Sequence, residues 1–156
     1  MRSQAEKAAA FRALHERPGA FIIPNPWDAG TARLLAALGF EALATTSLGL
    51  ANMLGRADSA VSRAEVIANC RSIAEATDLP VNVDLENCFA DAPAAAAEAI
   101  GLAAEAGAVG GSIEDSTGDA TSPIYDFDLA VARVRAAADL AHSLPEIGRA
   151  SCRERV

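Results

Sequence analysis

Short apolar runs alternate along the chain with longer segments of helical periodicity. After a leading helix predicted over residues 3–17, the apolar runs predict strands at 20–23, 40–46, 80–84 and 109–114. The intervening segments predict helices at 29–38, 62–77, 93–107 and 126–142, whereas the polar, glycine-containing segment 47–61 predicts a long loop. Strands and helices in this order are typical of a parallel sheet with helices packed outside it.

Several of the predicted helices begin at residues that suit a helix start. Asp28 can cap the helix at 29–38. Ser62 and Glu65 have the spacing of a capping box at the start of the next helix. Pro93 suits the first turn of the helix that follows, because a first-turn residue needs no N–H donor. These local signals support the assignment of alternating strands and helices.

The spacing of the predicted strands bears on the fold class. Strands begin near residues 20, 40, 80 and 109, so one βα unit takes roughly 30 residues, and a (β/α)8 barrel needs about 250. We therefore predict an α/β fold that is the N-terminal half of a (β/α)8 TIM-type barrel, with four βα units after the leading helix. A complete doubly wound, flavodoxin-like domain is the alternative, and it would order its strands 2-1-3-4.

Composition and charge narrow the classes of partner. The formal net charge is −8, and no basic stripe is present, which argues against a nucleic-acid partner. The sequence lacks both a membrane-spanning apolar run and the apolar core of a signal peptide, so no membrane partner and a cytoplasmic location are expected. The odd number of cysteines suits neither a disulfide framework nor a zinc site, so free thiols are expected at Cys70, Cys88 and Cys152.

The last eleven residues, EIGRASCRERV, differ from the rest of the chain. They are basic, they lack the periodicity of a helix or a strand, and they stand where a further buried strand would begin. We predict that residues 1–145 form a truncated barrel and that residues 146–156 are a non-native tail, read through into a sequencing adapter. A genuine basic tail is the alternative.

Acidic residues follow the predicted strands at the ends where parallel α/β folds place their chemistry. The carboxylates that would converge on this rim are those of Asp58, Asp84, Glu86, Glu114 and Asp115. Packed together without a cation, they would repel one another and raise their pKa values. A hard divalent ion bound through oxygen relieves that repulsion, and Mg²⁺ is the expected ion because it keeps several of its waters.

Each candidate also has an ordinary structural interpretation. Asp58 can be a loop acid or a cap beside Ser59, and Asp84 can simply end a strand. His15 and His142 lie on predicted helices away from the rim and are expected at the surface. The convergence of several acids, more than any one of them, favours a metal site.

Four stretches resemble, in order and spacing, the isocitrate lyase/phosphoenolpyruvate mutase family over about residues 10–145. They are PNPWDAGTARLLAALGFEALATTS, the loop with LGRADS, VNVDLENCFAD, and AGAVGGSIEDSTG with the IYDFDLAVARVRAAA that follows it. The resemblance implies a (β/α)8 barrel in which Mg²⁺ holds a 2-oxo-carboxylate or its enolate. The reaction of such a lyase or phosphomutase makes or breaks the C–C or C–P bond next to that unit.

The resemblance also implies roles for residues at matching motif positions. The metal would be bound directly by Asp84 and through waters by Glu86 and Glu114. Asp58 would belong to the same carboxylate cluster and is the candidate catalytic residue. The substrate carboxylate would be bound by Thr46, Ser47 and the backbone amide of Leu48. The metal and the amides together would neutralise charge as an enolate develops.

Two features depart from the family pattern. Cys88 and Ala90 stand where much of the family has glycine, so a side chain would strain the loop if either position has a positive φ. The stretch STGDATSPIYDF has no cysteine, lysine or histidine, whereas isocitrate and methylisocitrate lyases carry a cysteine general acid there. This argues against tricarboxylate cleavage and leaves phosphonopyruvate-type or oxaloacetate-type chemistry. A non-catalytic α/β domain that binds a carboxylate metabolite is the alternative.

The expected partner is therefore a small 2-oxo-carboxylate substrate. Members of the family are usually oligomers, so the full-length parent is expected to be a homo-oligomer. Four βα units leave open sheet edges, which favour pairing with other chains. The 156-residue chain on its own is accordingly expected to self-associate and to be inactive.

Overall fold

The computed structural model describes residues 2–144 in full and the backbone of residues 149–153. Its elements in chain order are α1 (Gln4–Glu16), α2 (Ala29–Ala37), β1 (Leu43–Ala44), α3 (Ser47–Met53), α4 (Arg63–Ala76), β2 (Val81–Asp84), α5 (Pro93–Glu105), β3 (Gly110–Glu114), α6 (Phe127–Ser143) and β4 (Arg149–Arg153). The described helices include none that is both long enough and apolar enough to cross a membrane.

The strands form one parallel sheet whose spatial order follows the chain. Strand β1 pairs with β2, β2 with β3, and β3 with β4. The predicted strands at 40–46 and 80–84 are therefore immediate neighbours, which the 2-1-3-4 order of a doubly wound domain would prevent. The α/β class with a parallel sheet is confirmed, and the doubly wound alternative is wrong.

The segment 20–23 is not a strand, which corrects the first predicted strand. In the part of the chain that the structure describes, one backbone hydrogen bond joins this region to β1, from the N–H of Ala44 to the carbonyl of Pro24 at 3.1 Å. Neither Pro24 nor Pro26 has an N–H to donate, so the pairing cannot continue as a ladder. Ile22 is 73% exposed, so the segment is not buried throughout.

Helix α3 stands where the sequence predicts a loop. The hydroxyl of Thr46 caps it by accepting a hydrogen bond from the N–H of Gly49 at 3.3 Å. A Cβ at position 49 would lie 2.5 Å from Cδ1 of Trp27, so glycine is required there. Because glycine has a low helix propensity, the local sequence does not predict this helix. Its stability comes from packing, in which Leu50 is buried in the core.

The helix starts predicted at Asp28, Ser62 and Pro93, in contrast, are confirmed, and the first two rest on local bonds. Ser62 and Glu65 form the capping box of α4, in which each side chain accepts from the backbone N–H of the other. Asp28 caps α2 by accepting the N–H of Thr31 at 2.7 Å. Ser3 provides a further capping box for α1. These helices satisfy their first N–H groups with their own side chains.

The main core lies between strands β2 and β3 and the helices α4, α5 and α6. Helix α5 contributes mostly alanine to it, so its neighbours can approach closely. The buried face of α6 consists of Arg133, Ala137 and Ala141. Arg133 is only 1% exposed, so the largest side chain on that face is a cation.

The backbone of residues 149–153 forms β4, which pairs in parallel with β3 from Gly110 to Glu114. Although its sequence lacks an alternating pattern, it stands where the spacing of the βα units places the next strand. Parallel strands do not need such a pattern. Residues 145–148 and 154–156 and the side chain of Cys152 lie outside the described part of the chain. The non-native origin of residues 146–156 stays a prediction.

Candidate metal and oxo-acid site

Acidic side chains gather where the carboxyl ends of β2 and β3 meet at one edge of the sheet. Asp84 is the last residue of β2, and Glu114 is the last residue of β3. Glu86 and Glu114 both line a cleft of about 160 Å³, to which Asn87 and Phe89 also contribute. The structure thus brings acids from two neighbouring strands to one cleft.

Asp84 is held in one orientation by bonds from two elements. Its Oδ2 accepts hydrogen bonds from the backbone N–H and the hydroxyl of Ser47, each at 3.0 Å. Its Oδ1 accepts the N–H of Glu86 at 3.2 Å, and its own N–H donates to the hydroxyl of Thr45 at 2.9 Å. A carboxylate has about two acceptor positions on each oxygen, so Oδ1 keeps one for a cation, whereas both positions of Oδ2 are used by Ser47.

Glu86 is half-buried, and its Oε1 is a buried oxygen with no hydrogen-bond partner among the described residues. Burial is the largest cause that raises the pKa of Glu86 to about 7. Neighbouring negative charges raise that pKa as well, and they belong to Asp84, Asp58 and Glu114. The nearby Ser47 side chain acts in the opposite direction and lowers that pKa. An acid in these surroundings is a group that a cation would stabilise.

Asp58 and Glu114 belong to different elements, the loop before α4 and the end of β3. Asp58 lies on the exposed loop before α4, where its Oδ1 accepts the N–H of Ser59 at 3.0 Å. Its negative charge is one of those that raise the pKa of Glu86. Glu114 is tied more closely, because its N–H donates to the carbonyl of Glu86 at 2.8 Å.

The loop that begins with Glu86 has left-handed backbone at several positions. The φ values are 48° for Glu86, 60° for Cys88 and 58° for Phe89. The strain expected at Cys88 is confirmed, whereas Ala90 has no positive φ, and Phe89 takes that conformation instead. In a non-glycine residue this conformation costs roughly 1–2 kcal/mol. Such strain persists only where the surroundings hold the backbone in place.

The surroundings that hold this loop are centred on Arg133 of α6. Its guanidinium donates to the carbonyls of Asn87, Ala90 and Asp91. It also lies over the ring of Tyr125, 4.1 Å from the ring centroid, and the Tyr125 hydroxyl donates to Oδ1 of Asp91 at 2.6 Å. Three carbonyl dipoles and a ring face thus replace the water that a buried cation loses.

The residues predicted to bind the substrate carboxylate all lie at the start of α3. The hydroxyl of Thr46 caps that helix, and the N–H and hydroxyl of Ser47 are bonded to Asp84. The side chain of Leu48 is 48% exposed. The indole of Trp27 packs over the same helix start against Gly49, so it lies beside the predicted substrate position.

The chemistry of these side chains fits a hydrated Mg²⁺ ion. Every candidate ligand offers an oxygen, the donor that Mg²⁺ prefers. Within residues 2–144, no three histidine, cysteine or acidic side chains are arranged to hold an ion directly among them. An ion at Asp84 would therefore keep several waters, as Mg²⁺ usually does. The unbonded Oε1 of Glu86 and the mutual repulsion of the acids fit a cation at this place.

The cysteines with described side chains are not suited to nucleophilic catalysis. Cys70 and Cys88 are free and buried, and burial raises the pKa of each thiol to about 12. A thiol with such a pKa is almost entirely protonated at neutral pH and reacts slowly. The prediction of free thiols is confirmed for these two residues.

Sequence reasoning found the acids of this cluster and named Ser47, but it did not predict that Ser47 holds Asp84, and it missed the other residues that orient the site. One feature of the sequence points to Arg133. It lies four residues before Ala137 and eight before Ala141, so a helix places all three on one face, where an arginine stands among small residues. Thr45 and Tyr125 carry no local signal, because their partners are distant in sequence.

The profile of the family described as phosphoenolpyruvate phosphomutase matches residues 11–147. An uncharacterized protein of Mycobacterium tuberculosis strain H37Rv is 34% identical over 127 residues, which are 80% of this chain and 46% of that protein. The chain therefore spans less than half the length of this relative.

Two solved structures are similar to the whole described fold. A Burkholderia cenocepacia J2315 protein provisionally assigned as a lyase/mutase has 58% identity and a TM-score of 0.95, over 97% of this chain and 54% of the other. A 2,3-dimethylmalate lyase of the PEP mutase/isocitrate lyase superfamily has 26% identity and a TM-score of 0.84, over 99% and 54% of the two chains. With the profile match over most of the sequence, these similarities show that the chain belongs to the phosphoenolpyruvate phosphomutase family, within the PEP mutase/isocitrate lyase superfamily.

Proposed function

We propose that this chain is the metal- and substrate-binding part of a Mg²⁺-dependent lyase or phosphomutase. The enzyme would make or break a C–C or C–P bond beside a 2-oxo-carboxylate. The observation that carries the proposal is the buried, unbonded Oε1 of Glu86 inside an acidic cluster at the carboxyl ends of parallel strands. Turnover would belong to a longer protein, since the chain spans 54% of the lyase/mutase that it resembles.

The proposed metal site uses residues that are already oriented. Asp84 would bind Mg²⁺ directly, and Glu86 and Glu114 would hold it through waters. Because Ser47 fixes Asp84 through two hydrogen bonds, that carboxylate needs little rearrangement on binding. The ion, when bound, would supply positive charge beside the 2-oxo-carboxylate and the enolate that develops from it.

The proposed substrate position is the start of α3. The hydroxyl of Thr46 and the amide of Leu48 would bind the carboxylate, because donors at a helix start attract anions. Ser47, predicted for the same role, has its N–H and its hydroxyl engaged with Asp84, so it would act by holding that carboxylate. Trp27 would limit the access of water on that side, where its ring packs on the helix. Asp58 is the proposed catalytic carboxylate, since it lies on the exposed loop and is not bonded to α3.

The loop after β3 bears on the type of reaction. Residues 116–127 contain no cysteine, lysine or histidine, and a bridge between Ser116 and Ile124 closes them into an ordered turn. A general acid of the kind used for tricarboxylate cleavage is therefore not supplied by this loop. Phosphonopyruvate-type C–P chemistry and oxaloacetate-type C–C cleavage are the reactions that we propose for the full-length enzyme.

Tryptophan fluorescence tests the binding part of this proposal. Trp27 is the only tryptophan of the chain, and it lies at the proposed substrate position. Oxalate, a planar analogue of the pyruvate enolate, should change its emission only when Mg²⁺ is present. Asp84→Asn should abolish this response, whereas Asp139→Asn, at an exposed position of α6, should keep it.

The other outcomes of the titration separate the rival functions. A response to oxalate that needs no Mg²⁺ would favour a non-catalytic domain that binds a carboxylate metabolite. The absence of any response would contradict the proposed site. A longer protein of this family that contains this chain and spans the full length of its relatives is then assayed for Mg²⁺-dependent turnover of phosphonopyruvate and oxaloacetate.

A further inference from the structure

Arg133 stands out as a buried cation that has no acidic partner among the described residues. It is 1% exposed, and the salt bridges of the described residues do not include it. Arginine stays charged at any accessible pH, so it cannot relieve its burial by losing a proton. A buried position of this kind needs a compensating set of acceptors.

The acceptors of Arg133 are concentrated in one short segment of the chain. Its Nη1 donates to the carbonyls of Ala90 and Asp91, and its Nη2 donates to the carbonyl of Asn87. The residues between these carbonyls, Cys88 and Phe89, have left-handed backbone. The planar, rigid guanidinium group therefore joins the carbonyl of Asn87 at one end of the strained turn to those of Ala90 and Asp91 at the other.

A second set of contacts fixes Arg133 and the turn to each other. The Tyr125 ring lies under the guanidinium, and its hydroxyl donates to the carboxylate of Asp91 at 2.6 Å. The side-chain nitrogen of Asn87 donates to the same hydroxyl at 3.4 Å. The Oδ1 of Asn87 accepts the N–H of Phe89 at 3.0 Å within the turn.

We propose that Arg133 is a positioning residue of the metal site, which it serves by holding the turn 87–91 so that Glu86 stays beside Asp84 and Glu114. The turn follows Glu86 directly, and Asn87 and Phe89 also line the cleft. This inference rests on the proposed function, because it assigns to Arg133 a task in Mg²⁺ binding. Arg133 acts through backbone that it holds, not by contact with the ion.

Thiol labelling measures the turn separately from the rest of the fold. Cys88 lies in the turn and Cys70 lies in α4, and both are 0% exposed. In a chain whose Cys152 is replaced by serine, Arg133→Gln should make Cys88 react with a soluble disulfide reagent at least about tenfold faster, through local opening. Cys70 should keep its rate. Arg135→Gln, which changes an exposed arginine of the same helix, should alter neither rate.

Magnesium affinity, measured by titration calorimetry on the same chains, gives the second readout. Arg133→Gln should weaken Mg²⁺ binding by about 10–100-fold, the range seen when residues that support metal ligands are removed. If the unaltered chain binds no Mg²⁺, the proposed function fails while the labelling of Cys88 still measures the hold of Arg133 on the turn. If the unaltered chain binds Mg²⁺ and Arg133→Gln binds it equally well, the positioning role is overturned.

The labelling pattern decides between positioning and general stabilisation. Faster labelling of Cys88 alone supports the proposal, whereas equal acceleration of Cys70 and Cys88, or unchanged labelling of Cys88, overturns it. If Arg133→Gln does not fold, Arg133→Lys replaces it, because lysine keeps the charge and loses the planar guanidinium group. Partial protection of Cys88 in Arg133→Lys supports the proposal, and full protection overturns it.

Discussion

The start of α4 and the loop after β2 shift the pKa of an acidic side chain in opposite directions. In α4, Glu65 accepts hydrogen bonds from the backbone and hydroxyl of Ser62 and from Arg56, and these bonds lower its pKa to about 2. In the loop, Glu86 has a buried oxygen without a partner in the described chain, and its pKa rises to about 7. The first acid stabilises the fold in its ionised form, whereas burial and neighbouring charges destabilise the ionised form of the second, which an added cation would offset. Buried polar atoms that lack a hydrogen-bond partner, such as this one, are typical of functional sites.

The largest effect is expected from a methyl group added at the site end of α3. In Gly49→Ala the new Cβ would lie 2.5 Å from Cδ1 of Trp27 and 2.6 Å from Cγ2 of Thr46. Overpacking of this kind costs about 1–3 kcal/mol, so urea unfolding followed by circular dichroism should show a less stable chain.

Gly101→Ala is the matched control in the well-packed helical layer. Its Cβ would meet Leu140 at an ordinary 3.6 Å. Alanine favours a helix by about 1 kcal/mol over glycine, so this variant should be more stable. Equal stability of Gly49→Ala and the unaltered chain would show that α3 can shift away from Trp27.

The two acids should give the free energy of unfolding opposite dependences on pH. The folded pKa of Glu86, about 7, lies above its ordinary value of 4.5, so its contribution is present below pH 4.5 and is lost as the pH rises toward 7. The folded pKa of Glu65, about 2, lies below 4.5, so its contribution is present above pH 4.5 and is lost as the pH falls toward 2.

Neutral variants isolate these contributions. Without Mg²⁺, the unaltered chain should lose stability relative to Glu86→Gln between pH 4.5 and about 7. The difference between the unaltered chain and Glu65→Gln should change little over the same range and level off above about pH 5.5. There Glu65 is ionised in both the folded and the unfolded state. Parallel stability curves for Glu86→Gln and the unaltered chain would contradict the electrostatic description of the loop.

The smallest effect on folding is expected from the serines that hold the two acids. Ser62→Ala removes the cap of α4 and should cost about 1 kcal/mol of unfolding free energy, with Mg²⁺ affinity unchanged. Ser47→Ala removes one of the two bonds from Ser47 to Asp84 and should weaken Mg²⁺ binding by about tenfold or more. Chemical unfolding and Mg²⁺ titration of both variants test this contrast. A loss of Mg²⁺ affinity in Ser62→Ala would mean that the two regions are not independent.

The elements that the sequence predicts correctly are those fixed by neighbours along the chain. Ser62 and Asp28 mark helix starts because their side chains bond to N–H groups three residues away. The strands at 80–84 and 109–114 are predicted because they are short apolar runs between helices. Helix α3 was missed because it depends on contact between Gly49 and Trp27, which are distant in sequence.

The candidate site divides in the same way. Parallel topology alone puts Asp84 and Glu114 at one edge of the sheet, so the sequence predicts their approach. The hold of Arg133 on the turn 87–91 joins residues more than forty positions apart, and no local pattern contains it. The charges of the site can thus be read from the sequence, whereas the bonds that orient them come from tertiary packing.

The Mg²⁺ dependence of thermal unfolding tests the central claim, that the acids around Asp84 bind this ion. The measurement is made above the pKa of about 7 for Glu86, so that Glu86 is ionised. The unfolding temperature of the unaltered chain and of Asp139→Asn should rise steadily with Mg²⁺ concentration, because the ion binds only the folded state. That of Asp84→Asn should not change. An equal rise in Asp84→Asn, or no rise in the unaltered chain, would contradict the account.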